Sequence, residues 1–229
     1  MTNEVPHYFR NLNRKLLDGI PPNLGRVLEF GCSAGMLGKA YKSMNPDTVW
    51  HGLEINSDAV KLAKQNIDGA WVGNANKLKP NKTMLKEPYD AIIYGDVIEH
   101  FIDPVECMPD HLELLRSGGE MIACIPNVQH WTLMKSVLQG NWNYRNSGLL
   151  DNTHLRFFTR KSIRKLLLKL DLTLVEQQRF SYENGAFAKR ENEKKEFLNM
   201  VESMNKTLGM EFNEFDFRTF QYFIRATKN

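Results

Sequence analysis

Residues 26–38 run Arg26-Val-Leu-Glu-Phe-Gly-Cys-Ser-Ala-Gly-Met-Leu-Gly38. The apolar side chains from Val27 to Phe30 have the length and character of a strand buried in a parallel sheet. This run stops at Gly31, and residues 34–43 have the composition of a helix. A strand that turns tightly through small residues into a helix directs free backbone N–H groups at a ligand above the turn. The stretch therefore predicts a ligand-binding turn at the centre of an α/β fold.

The spacing of this turn excludes two common nucleotide-binding motifs. A dinucleotide fingerprint needs glycine at the first, third and sixth positions, and only the first, Gly31, is present. A phosphate loop needs Gly-Lys followed by Ser or Thr, whereas Gly38-Lys39 is followed by Ala40. The pattern that remains is Glu29-x-Gly31-x-Ser33-x-Gly35.

Composition and charge indicate an ordinary globular protein. The chain has 229 residues, 42% hydrophobic and 25% charged, which is typical of a single soluble domain. The net charge of +3 is too small to indicate nucleic-acid binding, and no apolar run reaches the roughly 18 residues of a membrane span. Cys32, Cys107 and Cys124 form no Cys-x-x-Cys pair, which favours a reducing cytosol. We therefore expect a cytoplasmic protein without nucleic-acid or membrane partners.

Strand and helix patterns alternate beyond the turn. Short apolar runs predict strands, and the stretches between them have helical spacing. The predicted strands are Val27–Phe30, Val49–Glu54, Trp71–Val72, Tyr89–Gly95, Met121–Ile125, Leu172–Phe180 and Phe217–Ala226, and the predicted helices cover residues 8–17, 34–43, 57–66, 105–116, 160–170 and 188–208. Such alternation implies a right-handed, doubly wound sheet. The fold class is therefore α/β with a mostly parallel, seven-stranded sheet.

Polar residues stand at the carboxyl ends of the first five predicted strands, namely Glu29, Glu54, Asn74, Asp96 and Asn127. Ligands of doubly wound sheets bind at this edge. A carboxylate at the end of the second strand, such as Glu54, is placed to accept both hydroxyls of a ribose. The alternative is an acid at a helix N-terminus, where the helix dipole favours it.

The turn and these strand ends resemble class I S-adenosylmethionine-dependent methyltransferases, with Ser33 where the middle glycine of their acidic-x-Gly-x-Gly-x-Gly turn usually lies. We expect Ser33 to keep an ordinary φ. The resemblance implies a Rossmann-like fold and S-adenosylmethionine as the cofactor. The implied cofactor contacts are Glu29, Gly31, Cys32, Ser33, Gly35, Glu54, Ile55, Asn74, Ala75, Asp96 and Val97.

Three further motifs sharpen the resemblance. They are Asp96-x-x-Glu-His100-x-x-Asp-Pro104, Ile125-Pro-Asn127 with His130-Trp131, and Leu150-Asp151 with Thr153-His-Leu-Arg-Phe-Phe-Thr159. They look like small bacterial methyltransferases encoded among glycosyltransferases. That resemblance covers residues 8–175 and 220–226 and leaves residues 181–216 unmatched. It implies methyl transfer to a small acceptor, on an oxygen of a sugar or related metabolite.

We expect one domain over residues 1–229. Residues 1–20 would form an N-terminal lid helix, with Tyr8 and Arg14 as lid residues. Insertions are expected at 127–159, after the fifth strand, and at 181–216. The aromatic-rich first insertion is typical of a substrate lid. Alternatively, its aromatic side chains Trp131, Phe157 and Phe158 only pack a small core of their own. The sequence leaves the oligomeric state open.

The candidate base is a histidine, since a hydroxyl acceptor must lose its proton and a neutral imidazole suits that step. His100, His130 and His154 are the three histidines expected at the carboxyl edge of the sheet, His154 within the first insertion. We place His154 first, with Asp151 orienting its ring, and His130 second; Asp96 is the third candidate catalytic residue. Alternatively, Asp151 and Thr153 only form a turn, and His154 bonds the backbone.

Other activities remain open from sequence. Asp96, Glu99, His100 and His154 would suit Mg²⁺ or Mn²⁺, as in relatives that methylate catechols or RNA ends. Those relatives carry Glu-x-x-Glu-His, whereas this chain begins with Asp, so we predict no metal, with Glu99 capping a helix and His100 packing. Two rivals are a catalytically inactive, cofactor-binding partner subunit and a dehydrogenase, the latter disfavoured by Met36.

Overall fold

A computed structural model describes residues 10–78, 80–181, 190–209 and 211–229. Its seven strands are β1 (Arg26–Phe30), β2 (Val49–Glu54), β3 (Gly69–Val72), β4 (Tyr89–Gly95), β5 (Leu115–Pro126), β6 (Leu172–Phe180) and β7 (Gln221–Lys228). The helices are α1 (Arg14–Gly19), α2 (Met36–Met44), α3 (Ser57–Ala63), α4 (Pro104–Leu112), α5 (Trp131–Leu138), α6 (Arg160–Lys169), α7 (Glu191–Leu208) and α8 (Glu214–Arg218). Within this part of the chain, no helix is long and apolar enough to cross a membrane.

The strands form one sheet in the order β3-β2-β1-β4-β5-β7-β6. The first five strands of this order are parallel, and β7 runs antiparallel to both β5 and β6. The chain moves outward from β1 in one direction through β2 and β3, then crosses back to β4 on the other side. A crevice opens at such a reversal, beyond the carboxyl ends of β1 and β4.

Side chains of β1 alternate between the two faces of the sheet, as expected for a strand buried on both sides. Leu28 and Phe30 belong to one apolar core, whereas Val27 belongs to the other with Trp50 and Ile93. This alternation directs Glu29 to the side of Trp50, whose indole Nε1 donates to the Glu29 carboxylate at 3.0 Å. The period of the strand therefore buries a carboxyl group next to the crevice.

Several predicted element ends are wrong. The helix expected to reach Arg116 ends at Leu112, and residues 115–126 form β5, because Leu115 pairs with Tyr89. The last strand begins at Gln221, since Phe217 lies in α8, where its ring packs at 5.6 Å from that of Phe197. The leading helix spans only Arg14–Gly19, and Tyr8 lies outside the described residues.

The first insertion packs through its aromatic and aliphatic side chains. Trp131 packs with Phe197, Val201 and Phe217 of α7 and α8, and Phe157 packs against a small cluster around Leu133. Phe158 instead belongs to the main core. A core of the first insertion's own is therefore confirmed for Phe157, whereas for Trp131 and Phe158 it is wrong, since these two side chains pack against other parts of the fold.

A buried ion pair attaches α8 to the rest of the fold. Arg160 Nε and Nη2 donate to the two carboxylate oxygens of Asp216 at 2.8 and 3.0 Å, and the Tyr222 hydroxyl donates at 2.6 Å. Asn127 Nδ2 donates to the backbone carbonyls of Asp216 and Thr219, both at 2.7 Å. Asn127 is fully buried, so it serves packing and is not available to a ligand at the strand ends.

Candidate functional site

A cavity of about 430 Å³ lies at the carboxyl ends of β1 and β4. One wall is the segment from Asn11 to Leu16, which includes the start of α1. The opposite wall comes from the strand ends and the glycine turn, with Glu29, Gly31, Cys32, Ser33, Met36, Leu37, Gly95 and Asp96. The cavity therefore brings five of the predicted cofactor contacts together under a short helix that contains Arg14.

The turn between β1 and α2 has a backbone that favours glycine. Gly31 has φ +67° and Gly35 has φ +76°. A β-carbon on Gly31 would lie 2.6 Å from Cγ2 of Val97, so a side chain would meet both strain and a clash. The backbone can thus approach a ligand closely at this position.

Ser33 does not keep the ordinary φ that the sequence predicted. Its φ is +50°, in the left-handed region. In this conformation Ser33 N donates to Oε2 of Glu54 at 3.1 Å, which links the turn to the end of β2. The same conformation occurs at Asp96, with φ +56°, at the end of β4. Strained residues of this kind cluster at functional sites.

Substitutions at Ser33 should reveal this strain. The free energy of unfolding of Ser33→Gly should lie within about 1 kcal/mol of that of the unsubstituted protein, because glycine adopts a positive φ without steric cost. The free energy of unfolding of Ser33→Val should be about 1–2 kcal/mol lower than that of Ser33→Gly, since a β-branched side chain is unfavourable at a positive φ. Urea unfolding of both variants measures the difference. Equal stabilities would contradict a positive φ at this position.

Two buried carboxyl groups stand beside the turn. Glu54 accepts from Ser33 N through Oε2 and from Asn56 N through Oε1, the latter at 2.9 Å. Glu29 accepts from Trp50 and borders the cavity. Burial, together with the charge of Glu54, raises the pKa of Glu29 to about 8 despite that hydrogen bond. Glu29 is therefore mostly protonated near neutrality, until a positive group enters the cavity.

Asp96 connects three elements at the same edge. Its carboxylate accepts from Asn13 Nδ2 at 3.4 Å and from Nε2 of Gln221, so it joins the cap of α1 to the start of β7. Burial raises its pKa to about 6. Asn13 and Gln221 carry no local motif, and they lie 83 and 125 residues from Asp96 in the sequence. The sequence interpretation missed both for that reason.

Six predicted contacts lie outside the lining of this cavity, namely Glu54 and also Gly35, Ile55, Asn74, Ala75 and Val97. The side-chain oxygen Oδ1 of Asn74 accepts from Asn76 N at 2.9 Å, which caps a short 3-10 helix at Ala75–Lys77. Ile55 is 69% exposed, so its side chain is open to a ligand. Glu54 lies one hydrogen bond from Ser33.

The predicted contact between Asp151 and the His154 ring is wrong. Asp151 Oδ1 instead accepts from the backbone N and the hydroxyl of Thr153, at 2.8 and 2.6 Å. The His154 ring has Nδ1 at 3.3 Å from the Leu149 carbonyl oxygen and Nε2 at 3.9 Å from Oε1 of Glu99. Burial, then the charge of His100, lowers the pKa of His154. A carbonyl oxygen only accepts, so Nδ1 carries the proton and Nε2 is the basic nitrogen.

His130 is buried next to Trp131 and Phe220. Its Nδ1 lies 2.8 Å from the Thr132 hydroxyl oxygen, and burial lowers its pKa to about 4. Both candidate bases are thus neutral imidazoles near neutral pH.

Glu99 does not cap a helix. It lies in a 3-10 helix, Ile98–His100, with only 1% of its surface exposed, and neither carboxylate oxygen has a hydrogen-bond partner in the described part of the chain. Burial and the charge of Asp96 raise its pKa well above the usual range. One donor atom each from Glu99, His100 and His154 lies within 4.8 Å of the others, so this set could hold a divalent cation. The absence of a metal stays a prediction.

A family model described as a methyltransferase domain matches residues 4–177. The chain belongs to this family. A methyltransferase domain is what the resemblance of the glycine turn implied, and it sets aside the dehydrogenase alternative. The methyltransferase is 24% identical over 157 residues to a ubiquinone biosynthesis O-methyltransferase of Cereibacter sphaeroides (strain ATCC 17025). That alignment covers 67% of this chain and 62% of the relative, so the chain spans less than two thirds of the relative's length.

Solved structures confirm the predicted fold class. A S-adenosylmethionine-dependent methyltransferase from Archaeoglobus fulgidus superposes with a TM-score of 0.61 at 18% identity, covering 97% of each chain. The N-methyltransferase NodS from Bradyrhizobium japonicum WM9, in complex with S-adenosyl-L-homocysteine, gives a TM-score of 0.52 at 12% identity. This superposition covers 90% of this chain and 78% of NodS.

Proposed function

We propose that this methyltransferase O-methylates a small hydroxylated acceptor, a sugar or related metabolite. The observation that carries the proposal is a pair of neutral imidazoles, His130 and His154, each linked through one or two residues to Asp96, which borders the cofactor cavity. Phe220 contacts His130 and precedes Gln221, which donates to Asp96. Glu99 has Oε1 at 3.9 Å from His154 Nε2, and burial together with the charge of Asp96 raises the pKa of Glu99. A neutral imidazole accepts the proton that a hydroxyl must lose.

The cavity and the adjacent strand ends suit the parts of S-adenosylmethionine. Glu29 and the turn would hold the amino group, with Arg14 in the opposite wall near the carboxylate. Glu54 would accept the ribose hydroxyls, since each carboxylate oxygen has a second lone pair beside its bond to Ser33 N or Asn56 N. Ile55, Asn74 and Ala75 would contact the adenine, which would cover the exposed Ile55 side chain.

The sulfonium of this cofactor supplies a methyl group that is already activated. The protein therefore has to align the acceptor and remove its proton. In this arrangement Nε2 of His154 takes the proton, and Nδ1 keeps its own proton towards the Leu149 carbonyl oxygen at 3.3 Å. His130 is the alternative base, with Thr132 orienting its ring.

Methyl transfer from labelled S-adenosylmethionine tests the proposal. The purified protein is offered neutral sugars, sugar phosphates, sugar nucleotides, a catechol and an RNA oligonucleotide, and the products are separated and counted. We expect label on a sugar-containing acceptor, as an alkali-stable ether. Label on the catechol or the RNA would instead favour the metal-dependent alternative. Cofactor binding without label on any acceptor would favour an inactive partner subunit.

A further inference from the structure

A second cavity, which we call the basic cavity, has a volume of about 440 Å³. It lies between α5, the loop at residues 143–150 and the start of α7. Its charged lining residues are Lys135, Arg145, Arg190 and Glu193, an excess of two positive charges. Hydroxyl and amide groups, among them Thr132, Ser136 and Asn143, complete a polar wall.

Two of the cations are held in place before any ligand arrives. Glu193 Oε2 accepts from Lys135 Nζ at 2.7 Å and from Arg190 Nη2 at 3.0 Å. These hydrogen bonds lower the pKa of Glu193 to about 2, so it stays ionised at any physiological pH. The Arg190 guanidinium also lies 5.0 Å from the centre of the Trp131 ring. Such fixed positions reduce the entropy lost on binding.

Arg145 is the cation left available for a ligand. Its backbone is fixed on both sides, because Arg145 N donates to Leu150 O and Asn152 N donates to Arg145 O, both at 2.8 Å. Its guanidinium has no hydrogen bond or ion pair with any other described residue. A guanidinium presents its donors in a planar fork that matches a phosphate or carboxylate group.

The basic cavity adjoins the predicted site of methyl transfer. Thr132, in its lining, contacts His130, and Phe220, also in its lining, has its ring centre 5.3 Å from that of His130. Gln221 then donates to Asp96, which borders the cofactor cavity. His130, Phe220 and Gln221 therefore lie between the two cavities.

We propose that the basic cavity binds a phosphate or carboxylate substituent of the methyl acceptor, with Arg145 as the principal anion-binding residue. This deepens the proposed function and rests on it: the acceptor is an anionic, hydroxylated metabolite rather than a neutral sugar. The positive charge recognises the anion, and the hydroxyl and amide groups of the lining recognise the hydroxyls beside it. An anion held here keeps the rest of the acceptor near both candidate bases, since Thr132 in the lining contacts His130 and Leu149 in the lining contacts His154.

Binding without turnover tests the inference. Protein saturated with S-adenosylhomocysteine is titrated calorimetrically with glucose 1-phosphate, glucuronate and glucose. We expect at least one anionic probe to bind at least tenfold more tightly than glucose, because charge-assisted hydrogen bonds are about twice as strong as neutral ones. The phosphate and carboxylate probes distinguish the two anions. Equal binding of all three probes, or binding of none, would overturn the inference.

Variants assign the effect to Arg145. Arg145→Gln should weaken binding of the anionic probe at least tenfold and leave the affinities for glucose and S-adenosylhomocysteine unchanged. Arg164→Gln, on the exposed side of α6, makes the same change in charge outside the cavity and should leave every affinity unchanged. Equal losses in both variants would indicate unspecific surface charge and overturn the assignment. If the anion binds through Arg145 and no acceptor is methylated, the proposed function is wrong, whereas anion binding in the basic cavity is confirmed.

Discussion

Glu54→Ala should weaken binding of S-adenosylhomocysteine at least about a hundredfold. Hydrogen bonds to a charged group contribute about 1.5–3 kcal/mol each, and the two ribose hydroxyls would both lose theirs. The substitution also removes the two hydrogen bonds that Ser33 N and Asn56 N donate to the Glu54 carboxylate at 3.1 and 2.9 Å. The turn would then lose its link to β2 as well. Calorimetric titration measures the loss directly.

Two other variants separate these effects. Glu54→Gln keeps the shape and one carbonyl oxygen, so it should bind S-adenosylhomocysteine more weakly than the unsubstituted protein and more tightly than Glu54→Ala. Asp58→Ala removes a carboxylate four residues further on, which pairs with Lys61 on the surface of α3. That control should retain full affinity. Undiminished binding by a folded Glu54→Ala protein would exclude Glu54 as the ribose ligand.

The strands and the turn could be predicted because their signals are local. The alternation in β1 and the small residues after it are visible within residues 26–38. The boundary between α4 and β5 could not be predicted, since Ser117-Gly-Gly119 has the composition of a helix end. Only the pairing of Leu115 with Tyr89 makes it part of a strand, with a register shift before Ala91. That pairing depends on the assembled sheet.

The site was predictable to the extent that strand ends define it. Glu29, Ser33 and Asp96 line one cavity because the carboxyl ends of parallel strands meet at one edge. Proximity in sequence misled at Asp151, three residues before His154. Its carboxylate closes a local turn with Thr153, which competes with any contact to the ring. The basic cavity was not predictable, since it joins residues of α5, a loop and α7.

His154→Ala should lower turnover by about two orders of magnitude or more while S-adenosylhomocysteine affinity stays unchanged. The ring accepts a proton at Nε2, and alanine offers no replacement base. In the unsubstituted protein the pKa of His154 is lowered by burial and by the charge of His100, so the base stays unprotonated below the usual histidine range. The acidic fall of the rate should therefore lie at a lower pH than an ordinary histidine would give. A rate profile against pH checks this.

A base and a metal ligand give different results in matched variants. If His154 is the base, His100→Ala should reduce turnover far less than His154→Ala, and dialysis against a chelator should leave the rate unchanged. If Glu99, His100 and His154 hold a cation, both substitutions should be equally damaging. Chelation should then abolish activity until Mg²⁺ or Mn²⁺ is restored. Should His154→Ala turn over normally while His130→Ala does not, the proton goes to the imidazole beside Thr132, at the wall of the basic cavity.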